Sequence, residues 1–319
     1  MGDVGLPNLS SRRNNCLSKK MGLPKPIGRQ KEVLTLPAQG HFAVLGTAGS
    51  GKTTLAILRA AYLAAPGTDH HGKTLLVTFN RALVAYLKHL QDRRLDNVFV
   101  ENYHMFARGY LNYRNKMSSN AICSPNEREV LINKAVSQAS DRFGTQPIFE
   151  RSVALFSEEL RWMAQHGIKS FEDYQNSQRV GRAGARIERK DRELVFEIYK
   201  NYQNLREQSR KKYDWDDLAI SVCTELDADK SSRRYRHIVI DEGQDFSPEM
   251  IRSLAKAIPI DGSLTFFGDV AQQIYGHRMS WRSAGLSLTK VWEFKENYRN
   301  SKQIAKLALA ISQIGLYLS

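Results

Sequence analysis

Eight residues, GTAGSGKT at positions 46–53, form a glycine-rich turn between an apolar run and a run with helical spacing. The apolar run HFAVL occupies 41–45, and TLAILRAAYLA follows at 54–64. A turn of this kind at the start of a helix presents backbone N–H groups that bind phosphate oxygens. The pattern predicts a strand, a phosphate-binding loop and a helix in that order, which begins an α/β fold with a parallel sheet.

The loop assigns separate tasks to its residues. Its glycines let the backbone wrap the phosphates, Lys52 would meet the β- and γ-phosphates, and the Thr53 hydroxyl would ligate Mg²⁺. The candidate nucleotide-binding residues of the loop are Gly46, Thr47, Ala48, Gly49, Ser50, Gly51, Lys52, Thr53 and Thr54.

A second strand-like run, HIVI at 237–240, leads into the acidic sequence DEGQD at 241–245. Asp241 at the strand end is the predicted Mg²⁺ ligand beside Thr53. Glu242 would orient or deprotonate the attacking water. A phosphate loop alone indicates nucleotide binding, whereas the loop with a carboxylate pair indicates hydrolysis. Lys52, Asp241 and Glu242 are therefore candidate catalytic residues.

Composition narrows the class of protein. The 319 residues carry a net charge of +14 with a pI of about 9.7, which favours a polyanionic partner such as nucleic acid. The three cysteines are far apart and fit neither a disulfide framework nor a zinc site, so a reducing, cytoplasmic location is expected. No apolar run reaches membrane-spanning length, and residues 1–26 are expected to be a flexible basic leader.

Six short apolar runs are predicted to be parallel strands covered by helices on both faces, with function at their carboxyl ends. They lie at 41–46, 74–79, 97–101, 237–241, 263–268 and 290–294. Between these runs, residues 111–212 have helical spacing and predict a helical domain inserted into the sheet domain. We expect the sheet domain to consist of residues 27–110 and 213–300.

The chain resembles superfamily 1 helicases of the UvrD/Rep/PcrA type in the order and spacing of seven segments. They are Gln30 for the adenine-reading Q motif, TFNRALVAYL (78–87) for motif Ia, ENYHMFARGYL (101–111) for Ib, YDWDDLA (213–219) for the return from the inserted domain, DEGQD for II, GDVAQQIYG (268–276) for III and ENYRN (296–300) for IV. The resemblance implies a RecA-like P-loop NTPase domain that uses ATP and Mg²⁺.

The resemblance also implies individual roles. Gln30 would bind the adenine edge and Tyr298 would stack on the base. Gln272 would sense the γ-phosphate, and Arg299 would act as an arginine finger. Both count as candidate catalytic residues, while Gln244 and Asp245 would link the metal site to motif III.

Single-stranded DNA is the implied partner, since such motors stack bases on aromatic side chains. Phe79, His104 and Tyr275 occupy the positions where motifs Ia, Ib and III place strand contacts. The implied activity is ATP-dependent translocation or unwinding.

Motifs V and VI are not present, and residues 301–319 resemble the first helix of a second motor lobe. We therefore expect weak binding and no processive unwinding by this chain alone, with a second chain as a possible source of the other lobe. Two alternatives stay open. One is an ATP-responsive nucleic-acid-binding subunit without unwinding activity of its own, and the other is a motor whose track is RNA.

Overall fold

A computed structural model describes residues 25–47, 49–79, 84–85, 97–178, 187–269 and 280–294. The candidate site residues outside these ranges are Ala48, Gln272, Tyr275, Tyr298 and Arg299. The leader and the C-terminal segment 301–319 also lie mostly or wholly outside them. The predictions made for these positions stay predictions.

A six-stranded, all-parallel sheet forms the centre of the described chain. Its order is β3-β2-β4-β5-β1-β6. The strands are β1 (Gly40–Gly46), β2 (Thr74–Val77), β3 (Val98–Glu101), β4 (His237–Ile240), β5 (Ser263–Asp269) and β6 (Leu288–Phe294). Each predicted apolar run overlaps one of these strands, with bounds that differ by up to two residues, so the predicted α/β class with a parallel sheet is confirmed.

Helices cover both faces of the sheet. Every residue of β2, β4 and β5 is buried, as expected for strands with apolar neighbours on both sides. The helices are α1 (Gln30–Leu34), α2 (Lys52–Leu63), α3 (Tyr103–Tyr113), α4 (Pro125–Phe143), α5 (Val153–Gln165), α6 (Phe171–Asn176), α7 (Arg192–Gln208), α8 (Leu218–Ala228) and α9 (Pro248–Lys256). None of them is long and apolar enough to cross a membrane.

Two apolar cores flank the sheet. One face packs on α1 and α2, and includes Val33, Leu55 and Phe267. The other packs on α3, α8 and α9, and includes Tyr103 and Ile251. The sheet is therefore rigid on both sides, which fixes where its strand ends place polar residues.

A third core lies among α4, α5, α6 and α7, within the segment predicted to be an inserted domain. A capping box begins α4: Ser124 accepts from the Glu127 N–H, and Glu127 accepts from the Ser124 N–H. Gly167, with φ of 68°, follows α5 as expected for a helix stop. The division into domains at 111 and 212 itself stays a prediction.

A buried ionic cluster lies where the chain returns from these helices to the sheet. Arg206 of α7 places Nη1 2.5 Å from the Asp217 carboxylate and 3.3 Å from that of Asp214. Asp214 also accepts from Tyr202 Oη at 2.7 Å and pairs with Arg128 of α4 at 3.3 Å. Because these groups are buried, their charges depend on one another to offset the cost of leaving water.

We predict that Arg206→Met lowers the free energy of unfolding by ~3–5 kcal/mol, because Asp214 and Asp217 lose their shared cation. Urea unfolding followed by circular dichroism measures this. Arg142→Met is the control and should cost less than ~1 kcal/mol, since the Arg142 side chain is exposed and its partner Glu197 keeps its ion pair with Lys200. Equal losses in both variants would contradict the assignment.

Candidate nucleotide and nucleic-acid site

Three neighbouring strands bring the predicted nucleotide residues to one edge of the sheet. β5 lies between β4 and β1, and Gly46 at the end of β1 is in register with Asp269 at the end of β5. The glycine-rich loop follows β1, and Asp241 follows β4. The prediction that chemistry-bearing residues gather at the carboxyl ends of the strands agrees with these positions.

The loop adopts a conformation that its glycines permit. Gly49 and Gly51 have φ of 83° and 84°, in the left-handed region where a side chain is costly. A Cβ at Gly46 would collide with the Ser50 hydroxyl. The buried hydroxyls of Thr47 and Ser50 have no hydrogen-bond partner among the described residues. The loop therefore holds polar groups whose hydrogen-bonding capacity is unused.

Lys52 is the first residue of α2 and is buried. Its Nζ donates to the carbonyl oxygens of Gly46 and Thr47, both at 2.8 Å, and lies 3.7 Å from the Asp269 carboxylate. The ammonium group is thus held across the mouth of the loop by three oxygen atoms. Asp269 was not among the residues singled out from the sequence. Its position at the end of an apolar strand, as the second residue of GDVAQQIYG, is the signal that marks it.

Asp241 and Thr53 form a pair suited to a hard cation. Thr53 Oγ1 lies 3.4 Å from Asp241 Oδ1, while Asp241 Oδ2 is buried and has no partner among the described residues. Burial, together with the charge of Glu242, raises the pKa of Asp241 to about 7. A divalent cation would remove this unfavourable burial of charge. The residues present therefore fit Mg²⁺.

Few protein ligands are available for such a cation. No group of three or more His, Cys, Asp or Glu side chains able to hold a metal occurs within the described ranges. One carboxylate, one hydroxyl, and oxygens from phosphate and water match the way Mg²⁺ is usually bound. The pair would thus hold the ion together with its substrate rather than as an all-protein cage.

Glu242 has an unusual backbone conformation, with φ of 53° and ψ of 45°. Its carboxylate accepts from Gln244 Nε2 at 2.6 Å, and Gln244 Oε1 accepts from the Asp269 N–H at 3.1 Å. A left-handed non-glycine residue costs free energy and is frequent at functional sites. The amide of Gln244 therefore connects the acidic turn to the strand whose last residue contacts Lys52.

Gln30 lies against the glycine-rich loop. Its Nε2 donates to the Ser50 carbonyl at 3.2 Å, and its Oε1 accepts from the Ile27 N–H at 3.1 Å. An amide group has two hydrogens and two lone pairs, so one of each is still available for a base edge. The predicted role in reading adenine stays a prediction that this geometry permits.

Arg59 of α2 holds the segment that carries Gln30. The side chain is fully buried, and its guanidinium donates to the carbonyls of Leu34, Leu36 and Pro37 at 2.7–2.8 Å. Burial lowers the pKa of Arg59 to about 9. Sequence reasoning missed this residue, because an arginine on an apolar helix gives no sign of which carbonyls it will meet.

Phe79 and His104, two of the predicted nucleic-acid residues, are in contact with each other. Their ring centroids are 5.8 Å apart, and His104 lies 5.2 Å from Trp215 in an edge-to-face arrangement. Arg108 lies over the Trp215 ring at 6.0 Å. Trp215 is 38% exposed, which makes it the accessible face of this aromatic group. Its place in YDWDDLA was noted from the sequence, but its contact with His104 was not.

Comparison with known proteins assigns the fold to a family. The sequence model of the UvrD/REP helicase N-terminal domain matches residues 28–291. The chain belongs to this family. The expected RecA-like P-loop fold and the resemblance to UvrD/Rep/PcrA-type helicases are thereby confirmed.

Curated relatives carry helicase names. The putative ATP-dependent DNA helicase YjcD of Bacillus subtilis is 25% identical over 83% of this chain and 34% of its own length. UvrD2 of Mycobacterium tuberculosis is 25% identical over 88% of this chain and 42% of its own. PcrA of Staphylococcus epidermidis is 24% identical over 88% and 37%. The chain thus spans well under half the length of these relatives.

We predict that Asp241→Asn stabilises the protein more at about pH 8 than at about pH 5, by on the order of 2 kcal/mol. The folded chain holds a proton on Asp241 up to about pH 7, whereas the unfolded chain releases it near the ordinary value of 3.8. Raising the pH through this window therefore lowers the free energy of unfolding, and asparagine removes that loss. Thermal unfolding in EDTA measures the effect.

Asp141→Asn on the exposed surface of α4 is the control for this measurement. It should change stability little at either pH. A gain from Asp241→Asn that is identical at both pH values would show that burial of its charge is not the cause.

Proposed function

We propose that this chain is the ATP-binding part of an ATP-dependent translocase or helicase that moves on single-stranded DNA. The observation that carries the proposal is the Thr53–Asp241 pair, with its unpartnered buried oxygen, beside a glycine-rich loop that holds Lys52. Membership of the family and the helicase names of the relatives support the same class. The identity of the nucleotide as ATP and of the track as DNA are both part of what we propose.

In this proposal the nucleotide lies along the edge formed by β1, β5 and β4. Lys52 Nζ exchanges its bonds to the Gly46 and Thr47 carbonyls for phosphoryl oxygens, while the loop N–H groups bind the remaining phosphate oxygens. Bound Mg²⁺, held by Thr53 and Asp241, would add positive charge at the phosphates. These groups position the phosphate and offset its charge, which is the main requirement of phosphoryl transfer.

Glu242 is the proposed proton acceptor for the attacking water. Gln244 donates to Glu242 Oε2 at 2.6 Å, which leaves the other carboxylate oxygen to receive the water's proton. A series of contacts through Gln244 and Asp269 then links the proton acceptor Glu242 to the phosphate-binding Lys52. Gln272, Tyr298 and Arg299 keep their expected roles as γ-phosphate sensor, base-stacking residue and arginine finger, outside the described ranges.

The aromatic group of Phe79, His104 and Trp215 is the proposed contact with the strand. Bases stack on such faces with ~1–3 kcal/mol each, and Arg108 beside Trp215 adds positive charge near the phosphates. Tyr275 would extend this surface. Asn102 alone separates β3 from α3, so the segment with His104 begins at the carboxyl end of β3, the end of the sheet that carries the nucleotide residues.

We predict that Glu242→Gln lowers kcat for strand-stimulated ATP hydrolysis by ~10²–10⁴-fold while fluorescent ATP analogues still bind. Gln keeps the size of the side chain but accepts no proton. A coupled phosphate-release assay with a poly-dT oligonucleotide measures it. Glu293→Gln, exposed on β6, is the control and should leave kcat unchanged.

The outcome separates the three candidate functions. If Glu242→Gln has no effect on a measurable turnover, the site is not hydrolytic as proposed and the nucleic-acid-binding subunit is favoured. If poly-U stimulates wild-type turnover and poly-dT does not, the track is RNA.

Arg59 fixes the segment that carries Gln30, so its replacement is expected to weaken nucleotide binding. Arg59→Lys should raise KM for ATP by roughly tenfold with a small change in kcat, and should reduce the preference for ATP over GTP. Lysine cannot bridge three carbonyls as the planar guanidinium does, so the Gln30 segment loses its fixed position. Arg142→Lys on α4 is the control. Unchanged nucleotide preference in Arg59→Lys, with normal folding, would contradict this role.

A further inference from the structure

A cavity of about 480 Å³ lies on the α3 side of the sheet, at the edge strand β3. Its lining shares no residue with the nucleotide site, although Glu101, the last residue of β3, lies at the same end of the sheet as that site. Tyr235 and Lys73 in its lining precede β4 and β2, whereas the nucleotide residues follow the strands. Tyr235 and Asp241 are six residues apart on an extended chain, which corresponds to about 20 Å.

The wall formed by α3 is apolar and open. Met105 is 55% and Tyr113 68% exposed, and with Gly109 they follow a spacing of four residues along one helix face. A Cβ at Gly109 would meet no atom within 4 Å among the described residues. Packing therefore does not require glycine there, although glycine within a helix is less stable than alanine. Its effect is to leave a groove between two exposed apolar side chains.

Some of the charged side chains that line the cavity have an ion-pair partner within the described ranges and others do not. Arg234 stacks on the rings of Phe99 and Tyr235, at 5.8 and 5.2 Å, and makes no ion pair within the described ranges. Lys73 is also without an ion pair there, and so is Glu101. Because β2 Thr74 pairs with β3 Val98, Lys73 and Glu101 are about four residues, or ~13 Å, apart along β3.

The other charges of the cavity are already satisfied. Asp229 accepts from Tyr110 Oη at 2.9 Å and pairs with Arg114 and Arg233 at 3.4 and 3.7 Å. The Tyr235 hydroxyl is buried without a hydrogen-bond partner among the described residues. The cavity thus combines an apolar groove with two cations and one carboxylate that make no ion pair within the described ranges.

We propose that this cavity binds a short peptide segment of a partner protein, with an aromatic or large aliphatic anchor beside Gly109 and acidic residues next to Arg234 and Lys73. The ~13 Å between the Lys73 and Glu101 positions corresponds to about four extended residues. The apolar groove supplies the binding free energy, and the separated charges set the direction of the peptide. Such a surface lets a partner hold the chain without covering the nucleotide edge.

The test uses the full 319-residue chain and three fluorescein-labelled peptides measured by fluorescence anisotropy. They are Asp-Asp-Trp-Leu-Ser, its charge-reversed form Lys-Lys-Trp-Leu-Ser, and Asp-Asp-Ala-Ala-Ser, which lacks the anchor. We expect the first to bind with a Kd of roughly 10–100 μM, and the other two at least about tenfold more weakly.

Matched variants locate the binding. Gly109→Leu should fill the groove and weaken the first peptide at least about tenfold, while Gly109→Ala, which only extends the helix surface by a methyl group, should change Kd by less than about twofold. Arg234→Gln should weaken binding at least about threefold. Lys134→Gln on α4 removes the same charge from an exposed position and should not. With methyl-labelled methionine, the Met105 resonance should shift on binding and that of buried Met163 should not.

Several results would overturn the proposal. They are no binding of the acidic peptide at millimolar concentration, equal binding of all three peptides, or binding that Gly109→Leu leaves intact. Displacement of the peptide by a poly-dT oligonucleotide, lost in Arg234→Gln, would make this face a nucleic-acid surface instead. Unchanged binding of a fluorescent ATP analogue in Gly109→Leu shows that the variant is folded, so loss of peptide binding is then specific.

Discussion

The parallel register of β4, β5 and β1 is the constraint on which the site depends. Because Gly46 pairs with Asp269, the glycine-rich loop and the end of β5 emerge side by side. Because Ile240 pairs with Phe266, the acidic turn emerges next to them. Shifting one strand by a single residue would turn its side chains to the other face of the sheet. The apolar cores on both faces resist such a shift. The packing of the sheet therefore sets the distances between the glycine-rich loop, the acidic turn and Asp269.

A second constraint acts where the helical segment of α4–α7 joins the sheet. The segments that lead into and out of these helices are joined by backbone hydrogen bonds. The Cys123 N–H donates to the Tyr213 carbonyl at 2.8 Å, and the Tyr213 N–H donates to the Ala121 carbonyl at 2.9 Å. The next residue after Tyr213 is Asp214, which pairs with Arg206 in the buried ionic cluster. Trp215 follows within two residues. The orientation of the aromatic group is thus tied to the ionic cluster and to the helices that supply it.

Much of this organisation could be predicted from the sequence. Strands such as 237–240 are continuous apolar runs bounded by polar residues, and the GTAGSGKT loop needs its glycines for a local reason. Contacts between distant positions could not be predicted. The three carbonyls that meet Arg59 and the approach of Asp269 to Lys52 depend on how α1, α2 and β5 pack. Gln30 illustrates both cases. The sequence shows that its amide could bind a base edge, whereas its hydrogen bond to the Ser50 carbonyl is seen only in the structure.

The backbone of Glu242 has a consequence for directed evolution of this protein. Glycine and asparagine adopt the left-handed conformation at this position readily. For glutamate it lowers the free energy of unfolding by on the order of 1 kcal/mol. A selection that rewards heat resistance alone would therefore enrich Glu242→Gly or Glu242→Asn. The selected variants would lack the carboxylate that Gln244 orients. At position 242, a gain in thermal stability would therefore come with a loss of catalytic turnover. Libraries for either property would have to keep this codon fixed.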